Sequence, residues 1–131
     1  MIVLDASVVI GFLDRGDAHH QRAFDLLMLT DDYRMHTMTM AEVLVRGARR
    51  GDLIPLQERL SALGVVEVDR HPREAAELAR LRVQTGLKLP DCCVLIAAEV
   101  TGAGVATFDD RLADAARRRG IEVRTHADRD D

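Results

Sequence analysis

Five short strand-like runs, each but the last followed by one or two helix-like segments, constrain this chain more than any other feature. The runs fall at 2–4, 33–37, 65–68, 105–108 and 121–124. Strands joined through helices rather than tight turns lie parallel. A parallel sheet needs helices over both of its faces. The expected class is therefore α/β, built as a single domain from 131 residues. Ser7 is placed to cap the helix after the first run, and Thr39 with Glu42 has the S/T-x-x-E spacing of a capping box. Asp52 is a further candidate cap. Pro72 and Pro90 fit first helical turns, while Gly64 and Gly102 fit helix ends. The segment 94–100 is apolar almost throughout, which predicts a helix buried on most sides. The polar tail at about 125–131 is expected to fray.

Four acids punctuate this pattern. Asp5 ends the first run and Asp109 follows the fourth. In an open α/β sheet, ligands bind beyond the carboxyl ends of the strands. Crossover helices run back antiparallel to the strands, so their first turns lie at that same edge. Glu42 and Asp91 are read as belonging to two such turns. The topology thus gathers Asp5, Glu42, Asp91 and Asp109 at one place. Carboxylates brought within a few ångström cannot all ionise without a counter-ion. Mg²⁺ and Mn²⁺ are the expected cofactors, since both prefer oxygen ligands. Such an ion acidifies a water and offsets charge on phosphoryl oxygens, which suits hydrolysis of a phosphodiester. Local explanations compete. An acid in a first helical turn gains about 0.3–1 kcal/mol from the helix dipole, and the capping box alone accounts for Glu42. Asp5 resists such an account, because a carboxylate closing a buried apolar strand needs a partner. Asp109 beside Asp110 resists it too, with Asp110 the simpler helix cap.

Composition narrows the partners. A net charge of -4 argues against broad, nonspecific affinity for nucleic acid. Aromatics are 3% and tryptophan is absent, so there is no stacking platform for bases. Basic charge is nearly all arginine, with Lys88 the only lysine. Cys92 and Cys93 are adjacent, which strains a mutual disulfide, and no second pair exists to build a zinc knuckle. They read as core residues of a reducing compartment. The opening MIVLDASVVIGFLD lacks the basic region of a signal peptide, and no apolar run reaches membrane length. A cytoplasmic protein without membrane association is expected.

The stretches MIVLDASVVI, MAEVL, LPDCCVLIAAE and ATFDDRL, in this order, resemble a PIN domain, and more narrowly the VapC toxins of bacterial type II toxin–antitoxin pairs. The likeness spans nearly the whole chain. It implies a three-layer α/β/α fold around a central, mostly parallel sheet of about four to five strands. It also implies Mg²⁺- or Mn²⁺-dependent endoribonuclease activity, an RNA substrate, inhibition by a cognate VapB-type antitoxin, and a homodimer. Asp5, Glu42, Asp91 and Asp109 match the four acidic positions. Ser7 and Thr107 match hydroxyl residues able to orient a ligand carboxylate or a water. Cys92 departs from the pattern, which commonly has a small residue there, and suggests an oxidation-sensitive helix start.

Arg46 lies one turn beyond Glu42, on a face shared with Arg49 and Arg50, and is a candidate contact for an RNA phosphate; its simpler role is an ion pair with Glu42. Arg111, two residues after Asp109, is a second candidate, with Asp110 as its alternative partner. Arg117–119 reads most simply as a helix end answering its dipole. His19 and His20 read as surface residues. Phe12, Phe24 and Leu27 are candidates for a dimer or antitoxin groove. Two other functions compete: a noncatalytic PIN-like module that binds RNA or a partner, and a phosphate-handling α/β protein. Against the latter, Asp5 lacks the second Asp of a D-x-D phosphatase and no lysine lies near the last strand, where a receiver needs one.

Overall fold

Ile2, Val3 and Leu4 are each no more than 2% exposed. Successive side chains of a strand point to opposite faces, so this strand is covered on both sides. It is β1 (Ile2–Leu4), the middle strand of the sheet. In a computed structural model that describes residues 1–29, 32–69 and 71–126, it is followed by α1 (Ala6–Leu13), α2 (His20–Leu27), β2 (Tyr33–Met35), α3 (Thr37–Arg50), α4 (Leu53–Leu63) and β3 (Val65–Glu67). Then come α5 (Glu74–Thr85), α6 (Leu89–Thr101), β4 (Gly104–Ala106), α7 (Asp110–Arg118) and β5 (Val123–Arg124). The five strands are all parallel, in the order β3-β2-β1-β4-β5. The sheet is thus fully parallel, at the upper end of the expected strand number. No described helix is long and apolar enough to cross a membrane. Of the expected frayed tail, 127–131 lies outside the described residues, while the Thr125 carbonyl accepts from Arg22 Nε.

The core is split by the sheet. Ile2 and Leu4 pack with Val8, Val9, Leu26, Leu27 and Met35 on the side of α1 to α4. Val3 packs on the other side with Leu95, Val105 and Leu112, under α5 to α7. Alternate residues of one strand therefore feed two cores, as a doubly covered sheet requires. Helix α6 buries Cys92 through Ala98 without a break, which matches its apolar sequence. Gly64 and Gly102 end α4 and α6 with φ of 92° and 72°, a left-handed cap that glycine adopts without strain.

Three local readings are corrected. Asp5, not Ser7, caps α1, its carboxylate accepting from Ala6 N. Pro72 sits in a turn before α5, which starts at Glu74. The Thr39–Glu42 capping box does not form. Helix α3 begins two residues earlier, and the His36 ring caps it by accepting from Met38 N at 2.9 Å. With Nδ1 used as acceptor, Nε2 donates to Glu74 Oε1 at 2.5 Å. Thr39 is left inside the helix, fully buried, its hydroxyl without a hydrogen-bond partner among the described residues.

Leu95→Ala is expected to lower unfolding free energy by about 2–5 kcal/mol in urea titration, because it opens a cavity in the core under α5 to α7. Thr39→Val is expected to leave stability unchanged or raise it by up to about 1 kcal/mol, since the orphan hydroxyl contributes no bond to lose. The same titration checks it, and a clear loss would mean that the hydroxyl has a partner.

Candidate active site

Strand order places the site. From β1 the chain crosses toward β2 on one side, and from β4 it crosses toward β5 on the other. The carboxyl ends of β1 and β4 therefore flank the switch point, where an open α/β sheet leaves a crevice. Asp5 follows β1 directly and its backbone N–H donates to the Ala106 carbonyl, the last residue of β4, at 2.9 Å.

Asp5 is buried, with 7% exposure. Its Oδ1 accepts from Ala6 N at 2.9 Å. Its Oδ2 accepts from Ser7 Oγ and from Thr107 Oγ1, each at 2.7 Å. Both hydroxyls are themselves held from the other strand end: Phe108 N donates to Ser7 Oγ at 3.1 Å, and Asp109 N to Thr107 Oγ1 at 3.0 Å. A two-strand relay of hydrogen bonds thus fixes the Asp5 carboxylate. Asp109 caps α7, its Oδ1 accepting from Arg111 N and Leu112 N at 2.9 and 3.2 Å. Asp110 is the first residue of that helix and not the cap.

Asp91 lies in the first turn of α6, behind Lys88 and Pro90. Its carboxylate accepts no hydrogen bond among the described residues. Its pKa is pushed from the ordinary 3.8 to about 6, first by burial and then by the charges of Asp5, Asp109 and Glu42; Lys88 pulls the other way and is outweighed. Glu42 is more exposed and sits beyond the first turn of α3. Neither capping nor the first-turn dipole effect accounts for it. Its pKa is also raised, by partial burial and by Asp5. The structure therefore brings all four predicted acids into mutual electrostatic reach.

The sequence profile of the PIN domain matches residues 2–118. The chain belongs to the PIN-domain family. No curated protein sequence matches it. Among solved structures, a toxin–antitoxin complex from Klebsiella pneumoniae is similar at 22% identity and a TM-score of 0.74, over 95% of this chain and 97% of that one. FitAcB from Neisseria gonorrhoeae gives 22% identity and 0.70 over the same shares. VapC20 from Mycobacterium tuberculosis, described as a sarcin–ricin loop cleaving toxin, gives 19% identity and 0.62 over 88% and 95%. At these identities the likeness speaks to the fold.

Within this PIN domain the acids do not close on a single point. Among the described residues, no group of three or more His, Cys, Asp or Glu side chains is arranged to grip one ion. The two arginine candidates differ. Arg46 faces Asp14 at 3.7 Å instead of Glu42. Arg111 makes no ion pair with Asp110 among the described residues, and it lines a cleft beside α7. His19 lies against the Phe108 ring, with centroids 5.1 Å apart, and Arg22 stacks over the same ring at 4.4 Å. Leu27 is core; Phe24 is exposed, stacked at 6.2 Å on Phe12. Cys92 is fully buried and its thiol pKa is raised by that burial, while Cys93 is pushed to about 11. An inert thiol, not an oxidation-sensitive one, follows Asp91.

Sequence reasoning missed Lys88, the lone cation bearing on Asp91; its place three residues before the acid at a helix start was the available signal. It also missed the His36–Glu74 bridge, because histidine is not among the usual caps.

The raised Asp91 pKa sets a pH dependence for the metal-free protein. Folded protein holds this proton more tightly than the unfolded chain does, so the contribution to stability is full at low pH and is lost as pH climbs from about 4 to about 6. With a discount for solvent screening, melting temperature in chelator is expected to drop by on the order of 2–4 °C between pH 5 and 7. Asp91→Asn should flatten that slope, and thermal melts of both proteins at fixed ionic strength check it.

Proposed function

We propose that this PIN domain is a Mg²⁺- or Mn²⁺-dependent endoribonuclease, acting as the toxin of a toxin–antitoxin pair. The observation that carries the reading is the gathering of acids at the switch point: burial first, and then the charges of Asp5, Asp109 and Glu42, raise the Asp91 pKa to about 6. The donor set fits a hard divalent ion. It is all oxygen, Asp91 and Glu42 have no hydrogen-bond donor among the described residues, and Asp5 keeps acceptor capacity beyond its three bonds. Mg²⁺ is usually held by one or two carboxylates with waters and substrate phosphates, so an open ring of acids suits it better than a closed cage. Asp5, Glu42, Asp91 and Asp109 would hold the ion or ions. When bound, such an ion supplies a water acidic enough to attack phosphorus and offsets charge on the phosphoryl oxygens.

The chain's own residues do the positioning. Ser7 and Thr107 fix the rotamer of Asp5, and the N–H groups of Phe108 and Asp109 fix those hydroxyls in turn. Such supporting bonds orient a ligand and raise its basicity. Asp109 is tied to the α7 N-terminus by two N–H bonds to one oxygen, and its second oxygen accepts no hydrogen bond among the described residues. Cytoplasmic location, a VapB-type antitoxin and a homodimer belong to the same proposal. The antitoxin is supported by the solved toxin–antitoxin complex of the same fold.

Asp5→Asn and Asp91→Asn are each expected to reduce cleavage of single-stranded RNA by at least about 100-fold, in line with loss of a ligand or its orientation. Asp91→Asn should also melt higher than wild type in chelator at pH 7, since it relieves repulsion. Stripping metal should stop cleavage, and added Mn²⁺ or Mg²⁺ should restore it. Cleavage that persists in the metal-stripped sample would reject the reading. RNA binding with Mn²⁺ but no cutting would make the protein a noncatalytic module.

A further inference from the structure

A cleft of about 410 Å³ runs beside α7, opposite the end of α5 and the loop that follows it. Both walls are anchored at the acids. On one side, Arg111 N donates to Asp109 Oδ1 at 2.9 Å. On the other, the Leu87 carbonyl accepts from Cys92 Sγ at 3.7 Å, and Cys92 directly follows Asp91. Its lining is therefore hydrogen-bonded to Asp109 on one side and to the residue after Asp91 on the other, although neither acid lines it.

Its lining is polar and cationic. Arg111 and Arg118 are exposed, and neither makes an ion pair or a side-chain hydrogen bond among the described residues. They stand seven residues apart on one helical face, about 10 Å along the axis. The one carboxylate in the lining, Asp114, faces Arg117 at 3.6 Å. Arg119 is held in place by Glu99 at 2.9 Å and Gln84 at 3.2 Å. On a chain of net charge -4, the helix dipole accounts for Arg118, in the last turn, but not for the exposed Arg111. Arg111 lies at the opposite end of the helix, where the dipole disfavours a cation. A second cleft, of about 250 Å³ between α1, α3 and α4, also carries arginines, including Arg46 and Arg50, but it holds acids of its own in Asp14 and Asp52, and Asp14 takes up Arg46 at 3.7 Å.

We propose that a single strand of RNA engaged at the four acids continues along the α7 cleft, with Arg111 and Arg118 each contacting a backbone phosphate. The proposal rests on the ribonuclease reading. Guanidinium groups suit phosphate oxygens, and contacts to the backbone position a strand without reading its bases.

The test uses the full chain carrying Asp91→Asn, which is expected to hold RNA without cutting it. Binding of a labelled 15-nucleotide random-sequence RNA is followed by fluorescence anisotropy over a salt series. Arg111→Gln and Arg118→Gln should each weaken binding several-fold and reduce the slope of log K against log salt by about 0.7, the value for one phosphate contact on a single strand. Arg50→Gln, in the cleft between α1, α3 and α4, should change neither. Both cleft residues are exposed, so thermal melts should match the parent's. If the parent binds RNA and the cleft variants keep its slope, the inference fails while the ribonuclease reading stands, and the cleft is left as a surface for an acidic protein segment. If the parent binds no RNA and wild type cuts none, both fail.

Discussion

The pairing of β1 with β4 is the contact on which the acidic edge depends. Its register sets Ile2 opposite Gly104, Val3 opposite Val105 and Leu4 opposite Ala106. A slip of one residue would turn Val3 into the core of Ile2 and Leu4, reversing every side chain of the strand. On the other side of β4, Gly104 lets the chain leading into β5 pass close, since a Cβ there would approach the Glu122 carbonyl to 3.0 Å. With the register set, Thr107 reaches Asp5 across more than a hundred residues of sequence. Neither strand could orient that carboxylate alone.

The site is electrostatically expensive for the fold that carries it. Asp91 is half-buried with three other carboxylates acting on it and one lysine opposing them. Proteins concentrate perturbed ionisable groups where chemistry requires them. The surroundings are correspondingly firm: Asp5 is triply hydrogen-bonded, α6 is buried along its length, and α3 is pinned at its start by the His36–Glu74 bridge. Rigid elements hold groups together that repulsion would separate. Under the proposed function, a cation there would reverse the local pKa logic and its binding would add stability.

Charge is distributed unevenly beyond the acids. The α7 cleft leaves Arg111 and Arg118 without an acidic partner among the described residues, whereas the cleft between α1, α3 and α4 sets Asp14 and Asp52 beside its arginines. The two surfaces suit different chemistries despite a shared cation. Net charge conceals this, because it averages an acidic crevice with cationic approaches to it.

The α/β class, the five strands and the seven helices were legible in the chain because apolar period and punctuation by Gly and Pro are local signals. The buried run 94–98 and the strand 2–4 announced themselves by composition alone. Boundaries were legible only where the cap was conventional: Pro90 placed α6 well, while the histidine cap of α3 hid behind a plausible but unused capping box at Thr39 and Glu42. Membership of one acidic edge could be argued from Asp5, Glu42, Asp91 and Asp109, since topology rules depend on element order. Partner choice for Arg46, the inert burial of Cys92 and the free state of Arg111 and Arg118 could not. Those depend on which side chains from distant elements come within a few ångström, and hydrogen bonds, desolvation and Coulomb attraction are all decided at that range. The sequence by itself determined the elements and the end of the sheet at which the acids lie; the tertiary structure alone decided who pairs with whom.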